Sequence, residues 1–494
     1  MENDNIFQKK ITSGLFWKTF ENIGDQLITF VISMVLARLL GPDKYGTMTV
    51  MLMFVTIGNV MIQTGFQTAL IQRKNIGKEE LSSVFWMGLI VSSIIYSILF
   101  VCSPDIAVFF KDEAIKDMLR VLSLILFFGS VISIEYAIIS RNMDFKLQCI
   151  ATMLADLISG IAGIVLAYKN AGTWALIFQQ LIKHVMLMLI LMVSLRWLPD
   201  FYFSFSRIKG LFSYGWKVMV SGLIDTIYSN LYTPVISKMY TPSAVGLYGK
   251  ANQFPQIIAN AMAQTMQSVM LPAFSRLQDE RRESARLLRN AIKLGSFIMF
   301  PLMFGLIAVS DPLINILLGS EWAESAALLR LCAIGYLVWH VHVANLQAIN
   351  AVGRSDIYLR LEIIKKLLGV TVLVVSIPYG IESMLIFKAV YDIICTFINA
   401  WPNRKLQGYG PLRQWMDMLP ELIASLIMFA FVYYLVPFAL NITGFSYITE
   451  SCSVGLMLIQ VISGVIIYIL AALFMRLESA FAILKMLSQR KRQE

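Results

Sequence analysis

The sequence predicts an all-α polytopic membrane protein of about 14 transmembrane helices, built as two parallel six-helix repeats plus two C-terminal helices. Three observations carry this. Of 494 residues, 57% are hydrophobic and 15% charged, with a mean hydropathy of +0.69, where a soluble chain carries about 25% charge. Apolar segments long enough to cross a bilayer, about 20 residues, recur along the whole chain. The chain also repeats itself at an offset of 200: Asp25 falls on Asp225, Arg38 on Lys238, Pro42 on Pro242 and Gly46 on Gly246. Trp17-Lys18 matches Trp216-Lys217, and a second block aligns Leu119-Arg120 with Leu329-Arg330, then Arg141 and Asp144 with Arg354 and Asp356. A duplicated, very apolar chain is the mark of a transporter whose halves close around a central site.

The segments run in order along the chain. Leu15–Leu40 and Thr47–Ile71 are separated by Gly41-Pro42, a pair that ends a helix. Val84–Cys102, Met118–Ile139, Leu147–Tyr168 and Trp174–Leu195 complete the first repeat. Trp216–Tyr240, Val245–Leu271 and Ala291–Val309 open the second, and Pro234, Pro255 and Pro301 give each of them a potential bend. Ala326–Asn350, Ile357–Ile377 and Ile381–Ala400 close it. Leu419–Leu440 and Cys452–Phe474 have no counterpart and read as an appendage. The expected division is therefore an N-terminal lobe, 1–200, a C-terminal lobe, 201–410, and two extra helices with a basic tail, 411–494. Arg276–Asn290 reads as an amphipathic cytoplasmic helix, either drawn to anionic lipid or simply solvated.

Lys and Arg set the sidedness. One set of connections is rich in them, including Arg73, Lys74, Arg141, Arg196, Arg207 and the tail residues Lys491 and Arg492, while the opposite set holds Lys44, Lys111, Lys116 and Lys169. The positive-inside rule then places both termini in the cytoplasm. Six spans per repeat is an even number, so both halves enter from the same face and the repeats are parallel. The seam Arg196–Tyr214 carries Phe201-Tyr202-Phe203, rings suited to the headgroup level. The net charge of +10 reflects this bias and calls for no nucleic acid. The polar N-terminus and the missing small-residue cleavage pattern predict no cleavable signal. Cys102, Cys149, Cys332, Cys395 and Cys452 stand singly in apolar stretches and read as core residues.

Ionisable residues inside spans are costly unless they face protein or a wet cavity. The first span holds Lys18, Glu21 and Asp25 on one helical face, and its repeat partner holds Lys217 and Asp225, also on one face. Two readings stand: matched linings of a central cavity, or ion pairs that neutralise one another within a turn. The eighth span holds Lys250 and a stripe of Gln253, Asn260, Gln264 and Gln267. Amides both donate and accept, which suits hydroxyl-rich sugars, and helix–helix contacts are the alternative use. Lys293 and Arg330 lie towards helix ends and can snorkel. Glu135 and Asp156 are further intramembrane candidates, whereas Lys388 and Asp392 are spaced to pair with each other. No cofactor or metal is expected: GxxxxGK[ST], HExxH and Rossmann glycines are absent, and His340 and His342 diverge on a helix. No catalytic constellation appears, so the chain is not expected to be an enzyme. Asn441-Ile442-Thr443 matches a glycosylation sequon, a common chance match.

The stretch Ser13-Gly14-Leu15-Phe16-Trp17, followed by Ala37-Arg38-Leu39-Leu40-Gly41-Pro42 and Tyr45-Gly46, resembles the opening of bacterial polysaccharide transporters. These are the O-antigen and exopolysaccharide flippases of the multidrug/oligosaccharidyl-lipid/polysaccharide exporter superfamily. Thr64-Gly65-Phe66 and Ile71-Gln72-Arg73 are similar to the next stretch of those transporters. The resemblance implies a flippase of the bacterial inner membrane that moves an undecaprenyl-pyrophosphate-linked oligosaccharide outward by alternating access. Its partners would be that lipid, membrane lipids, and a glycan polymerase with other assembly proteins. On this reading Lys18, Lys217 and Lys250 hold the pyrophosphate in a cavity that Glu21 and Arg330 also line, Gln253, Asn260 and Gln264 meet the sugar, and Asp25 and Asp225 repel the anion, tune the lysines or take a coupling cation. The peptidoglycan-precursor flippases of this superfamily have an Arg-Asp pair early in the first helix, but here Gly24 precedes Asp25. A drug/cation antiporter of the same superfamily and a non-transporting scaffold of a glycan assembly complex are the rival readings.

Overall fold

The computed structural model describes residues 2–72, 76–277, 280–438 and 453–490. Among them no strand occurs. The Asn441 sequon, Arg73, Lys74, Cys452, Lys491 and Arg492 lie outside the described residues.

The first helical run, α1 (Glu2–Gln72), is two spans joined at Gly41, whose φ of 76° and ψ of 171° break the helix. Pro42 then starts the second span, since its fixed φ suits a first helical position. The next helices are α2 (Lys78–Phe110), α3 (Ala114–Leu122), α4 (Ile125–Asn142), α5 (Phe145–Tyr168) and α6 (Thr173–Leu195). Glu80 reaches back to the Gly77 backbone N–H at 2.8 Å to start α2, and Asp144 caps α5 by accepting from the Leu147 N–H at 3.3 Å. After the linker come α7 (Phe205–Ser229), α8 (Tyr232–Met239), α9 (Pro242–Arg276), α10 (Arg281–Ala308) and α11 (Ser310–Leu317). The chain continues through α12 (Ser325–Tyr336), α13 (Trp339–Ala351), α14 (Ser355–Ser376), α15 (Ile381–Leu406), α16 (Pro411–Ala430), α17 (Ser453–Phe474) and α18 (Glu478–Arg490).

Each segment expected from the sequence falls on one of these helices or on a consecutive pair, apart from the ends at Leu440 and Cys452. Among the described residues nine helical stretches are long and apolar enough to cross a membrane. The long helices α9, α14 and α15 are more polar, and their composition alone does not mark them as spans.

Two compact units result, Met1–Gly246 and Leu247–Glu494. In the first, α1 packs on α4, α5, α6 and α7. Small residues allow the close approach: a Cβ on Gly160 would overlap Ile32, and one on Gly163 would stand 2.8 Å from Gln179. Here too Gly46 and Gly246 each lie against the backbone of the other repeat's proline, Gly46 on the Pro242 carbonyl and Gly246 on the Pro42 carbonyl. In the second unit, α10 runs through the core, with Leu288, Ile292, Met299 and Met303 buried among residues of α9, α13 and α16.

The first turns of α10 differ from the separate surface helix expected over Arg276–Asn290. It begins at Arg281 and continues unbroken into the span. Its first turns are held by polar contacts: Arg281 donates to the Lys405 carbonyl, Ser284 to Gln407 at 2.6 Å, and Arg289 to both Asp417 oxygens at 3.0 and 2.8 Å. A bidentate guanidinium–carboxylate pair fixes geometry as well as charge, so this segment is clasped to the α15–α16 connection.

Candidate functional site

Within the first unit the acidic face of α1 turns onto α5 and α6. Glu21 is buried; it accepts from Lys18 at 2.8 Å and from the Gln148 amide at 3.0 Å. Gly24 lies against Met153 of α5, and its small size lets the helices approach between the two acids. One turn on, Asp25 pairs with Lys183 of α6 at 3.3 Å, and Lys183 also pairs with Asp156 of α5 at 2.5 Å. Lys183 therefore bridges two carboxylates from different helices, inside a membrane helix where a lone charge would be costly. Sequence reasoning missed it. Its signal was a lone lysine in an apolar span, and its partners lie 158 and 27 positions earlier in the chain.

Lys18 keeps 40% of its side chain exposed. Trp17 beside it packs with Phe16 and Phe20, and the Lys146 ammonium sits 5.6 Å from the Trp17 ring. In α7 both Lys217 and Asp225 are exposed.

In the second unit Lys250 is buried and donates to Gln253 at 3.3 Å on the next turn of α9. Beyond them α9 divides into two faces. Ala259, Ala263, Met266, Met270 and Phe274 are buried in the core, while Gln256, Asn260, Gln264 and Gln267 are exposed. Four exposed amides on one side make this a poor face for lipid, although Ala261 and Val269 are exposed beside them.

Arg330 sits elsewhere. It donates to Ser310 at 2.7 Å and pairs with Asp311. Its repeat partner Arg120 does the same in the first unit, donating to Ser103 at 2.8 Å and lying 4.2 Å from the Phe100 ring. Each arginine ties its helix to the end of a preceding one, so this repeat block carries a structural clamp.

Glu135 of α4 is buried in the first unit with neither carboxylate oxygen hydrogen-bonded among the described residues, whereas several intramembrane polar groups of the second unit pair with one another. Lys388 and Asp392 pair at 2.7 Å, one turn apart, below the Tyr336 ring. His340 meets Ser296 at 2.9 Å and His342 meets Asn399 at 3.0 Å, so the two imidazoles point to different helices. Lys293 pairs with Glu478 of α18 at 2.7 Å, and that ammonium holds the Glu478 carboxyl below its usual range.

Residues 35–327 match the family model described as "Polysaccharide biosynthesis protein". The chain belongs to this family. It is similar to the succinoglycan biosynthesis transport protein ExoT of Rhizobium meliloti, with 26% identity over 326 residues, 66% of each protein. That match spans slightly under two thirds of the relative's length. The fold is similar to the lipid II flippase MurJ in its inward closed conformation, with a TM-score of 0.74 at 16% identity over 94% of this chain and 99% of that one. It is also similar to an inward-facing multidrug resistance transporter of the MATE family, with a TM-score of 0.61 at 17% identity over 78% of this chain and 95% of that one. These likenesses show a polytopic all-helical fold.

Proposed function

We propose that this protein is a flippase that carries a polyprenyl-pyrophosphate-linked oligosaccharide from the cytoplasmic to the outer leaflet by alternating access, for cell-surface polysaccharide synthesis. The observation that carries the reading is the α9 helix. It belongs to a membrane chain, yet it exposes Gln256, Asn260, Gln264 and Gln267 opposite its buried face. In hydrocarbon such groups go unsatisfied at a cost of several kcal/mol each, to order of magnitude. They therefore face water or a polar cargo, and amides match sugar hydroxyls as both donors and acceptors. Family membership and the name of the R. meliloti relative agree with this cargo.

The exposed Lys18 and Lys217 are assigned to the pyrophosphate, with Lys250 held in reserve beneath Gln253. The working parts are the lobes 1–200 and 201–410, with 411–494 appended. The protein lies in the bacterial inner membrane with both termini cytoplasmic, and it performs no covalent chemistry. The rival cation antiporter would use the exposed Asp225, whereas at about 4 Å and an effective dielectric near 20 each lysine attracts a phosphate charge, or repels a cationic drug, by roughly 4 kcal/mol before desolvation. Deleting the gene tests this. A surface polysaccharide should disappear and lipid-linked oligosaccharide should accumulate on the inner leaflet, with sensitivity to cationic dyes unchanged. Intact surface glycan with marked dye hypersensitivity would hand the case to the antiporter.

A further inference from the structure

The second span of each repeat carries the same polar signature. In α1 it reads Ile57-Gly58-Asn59-Val60-Met61-Ile62-Gln63-Thr64, and in α9 Ile258-Ala259-Asn260-Ala261-Met262-Ala263-Gln264-Thr265. Ile, Asn, Met, Gln and Thr coincide, and Gly is replaced only by Ala, while the positions between are free to change. The amides are four apart and so share one helical face.

In both units these amides border packed small residues, half-buried in the first and exposed in the second. In the first, Gly58 lies against Leu126 and Ile95, and Asn59 and Gln63 lean together over Gly129 of α4. A Cβ on Gly129 would stand 2.8 Å from the Asn59 amide oxygen and 2.9 Å from the Gln63 amide nitrogen, so the missing side chain makes room for both. The Gln63 amide donates to Asn59 only at the 3.5 Å limit, which leaves most of their hydrogen-bonding capacity unused within the pair. In the second unit Ala259 is buried, whereas Asn260 and Gln264 are exposed and, among the described residues, have no hydrogen-bond partner. Ser268 on the same side is different, because its hydroxyl already donates to the Thr265 carbonyl at 2.8 Å. Helix–helix adhesion does not explain the α9 copy, whose Asn260 and Gln264 are exposed, and in the α1 copy the face that Asn59 and Gln63 meet is a glycine, which offers their amides no side-chain partner.

We propose that Asn59–Gln63 and Asn260–Gln264 are a repeat-related pair of amide stations that hydrogen-bond hydroxyl or amide groups of the transported glycan, one station in each unit. The proposal rests on the flippase reading and assigns the sugar, not the pyrophosphate, to these four side chains. Being neutral, they discriminate by hydrogen bonding and leave the charge of the lipid to the lysines.

The test is binding to the purified full chain of two lipids: the lipid-linked oligosaccharide extracted from the deletion strain, and sugar-free polyprenyl pyrophosphate. Replacing two hydrogen-bonding groups at about 1 kcal/mol each should weaken binding about thirtyfold. Thus N260A/Q264A, exposed positions whose loss leaves packing intact, should bind the glycan-bearing lipid about thirtyfold less well and the sugar-free lipid unchanged. N59A/Q63A should do likewise, N260Q should recover part of the loss, and S268A should behave as wild type. Equal weakening towards both lipids, or no weakening in N260A/Q264A, overturns the stations and leaves the flippase reading standing. A wild-type chain that binds neither lipid overturns that reading and the stations with it.

Discussion

Replacing Gly46 by alanine should unfold the first unit more readily than a methyl added at any helical glycine other than its repeat partner Gly246. The added Cβ would overlap the Pro242 carbonyl oxygen, stand 2.5 Å from the carbonyl carbon and lie 3.2 Å from the Gly246 nitrogen. Carbon atoms settle about 3.5–4.0 Å apart, so one backbone must retreat by about 1 Å. The obstacle is main chain, which cannot turn aside as a side chain would. Overpacking usually costs about 1–3 kcal/mol, and an immovable partner puts this case at about 3 kcal/mol. For a unit of this size each kcal/mol shifts Tm by about 2–4 °C, which gives a fall of roughly 6 °C or more. Gly246→Ala should match it, because its Cβ would overlap the Pro42 carbonyl oxygen and stand 2.9 Å from that carbon. Gly305→Ala is the control: inside α10 its Cβ meets nothing within 4 Å, and the gain in helix propensity is worth about 0.5–1 kcal/mol. Thermal unfolding of the three purified variants in one detergent reads the difference. Equal Tm values for Gly46→Ala and Gly305→Ala would refute the close repeat-to-repeat contact.

Lys183→Met should destabilise the first unit by about 3–5 kcal/mol, since it strands Asp25 and Asp156 against each other; adding Asp156→Asn should restore most of the lost Tm. Single cysteines at Ser320 and Arg207 test the sidedness: the first should react with an impermeant thiol reagent outside the inner membrane, and the second should stay protected until the membrane is opened. Glu478 is depressed by Lys293, so its contribution is present above the ordinary glutamate range and fades as pH falls through its lowered folded value. Proteolysis of the C-terminal helix should accordingly quicken in acid, and Lys293→Met should quicken it at neutral pH. Its exposed carboxylate keeps that effect small.

Helix identity was legible because hydrophobic length and glycine–proline punctuation act locally. Gly41-Pro42 marks the break in α1 in sequence and structure alike. The repeat was legible where backbone geometry demands particular residues, at Pro42 and Gly46 and at their partners Pro242 and Gly246. Partnership was not. A helical face holding Lys18, Glu21 and Asp25 can line a cavity or pack on a neighbour, and only the approach of Gln148, Asp156 and Lys183 from α5 and α6 shows which side chains it meets. Arg330 shows the same limit: its serine and aspartate lie 20 and 19 residues back, across a helix corner that periodicity does not describe. The amide signature was half visible, as the α9 stripe. Its α1 copy is displaced by one residue from the 200-residue offset, in an interval where only the second repeat carries a proline, Pro255.

The most direct measurement places the purified chain in liposomes that hold lipid-linked oligosaccharide in both leaflets and tracks the fraction a membrane-impermeant lectin can reach. If the protein is a glycan-lipid flippase, the reachable fraction rises beyond that of protein-free liposomes, and N260A/Q264A slows the rise. An unchanged fraction, with the same liposomes expelling a cationic dye, would contradict the account.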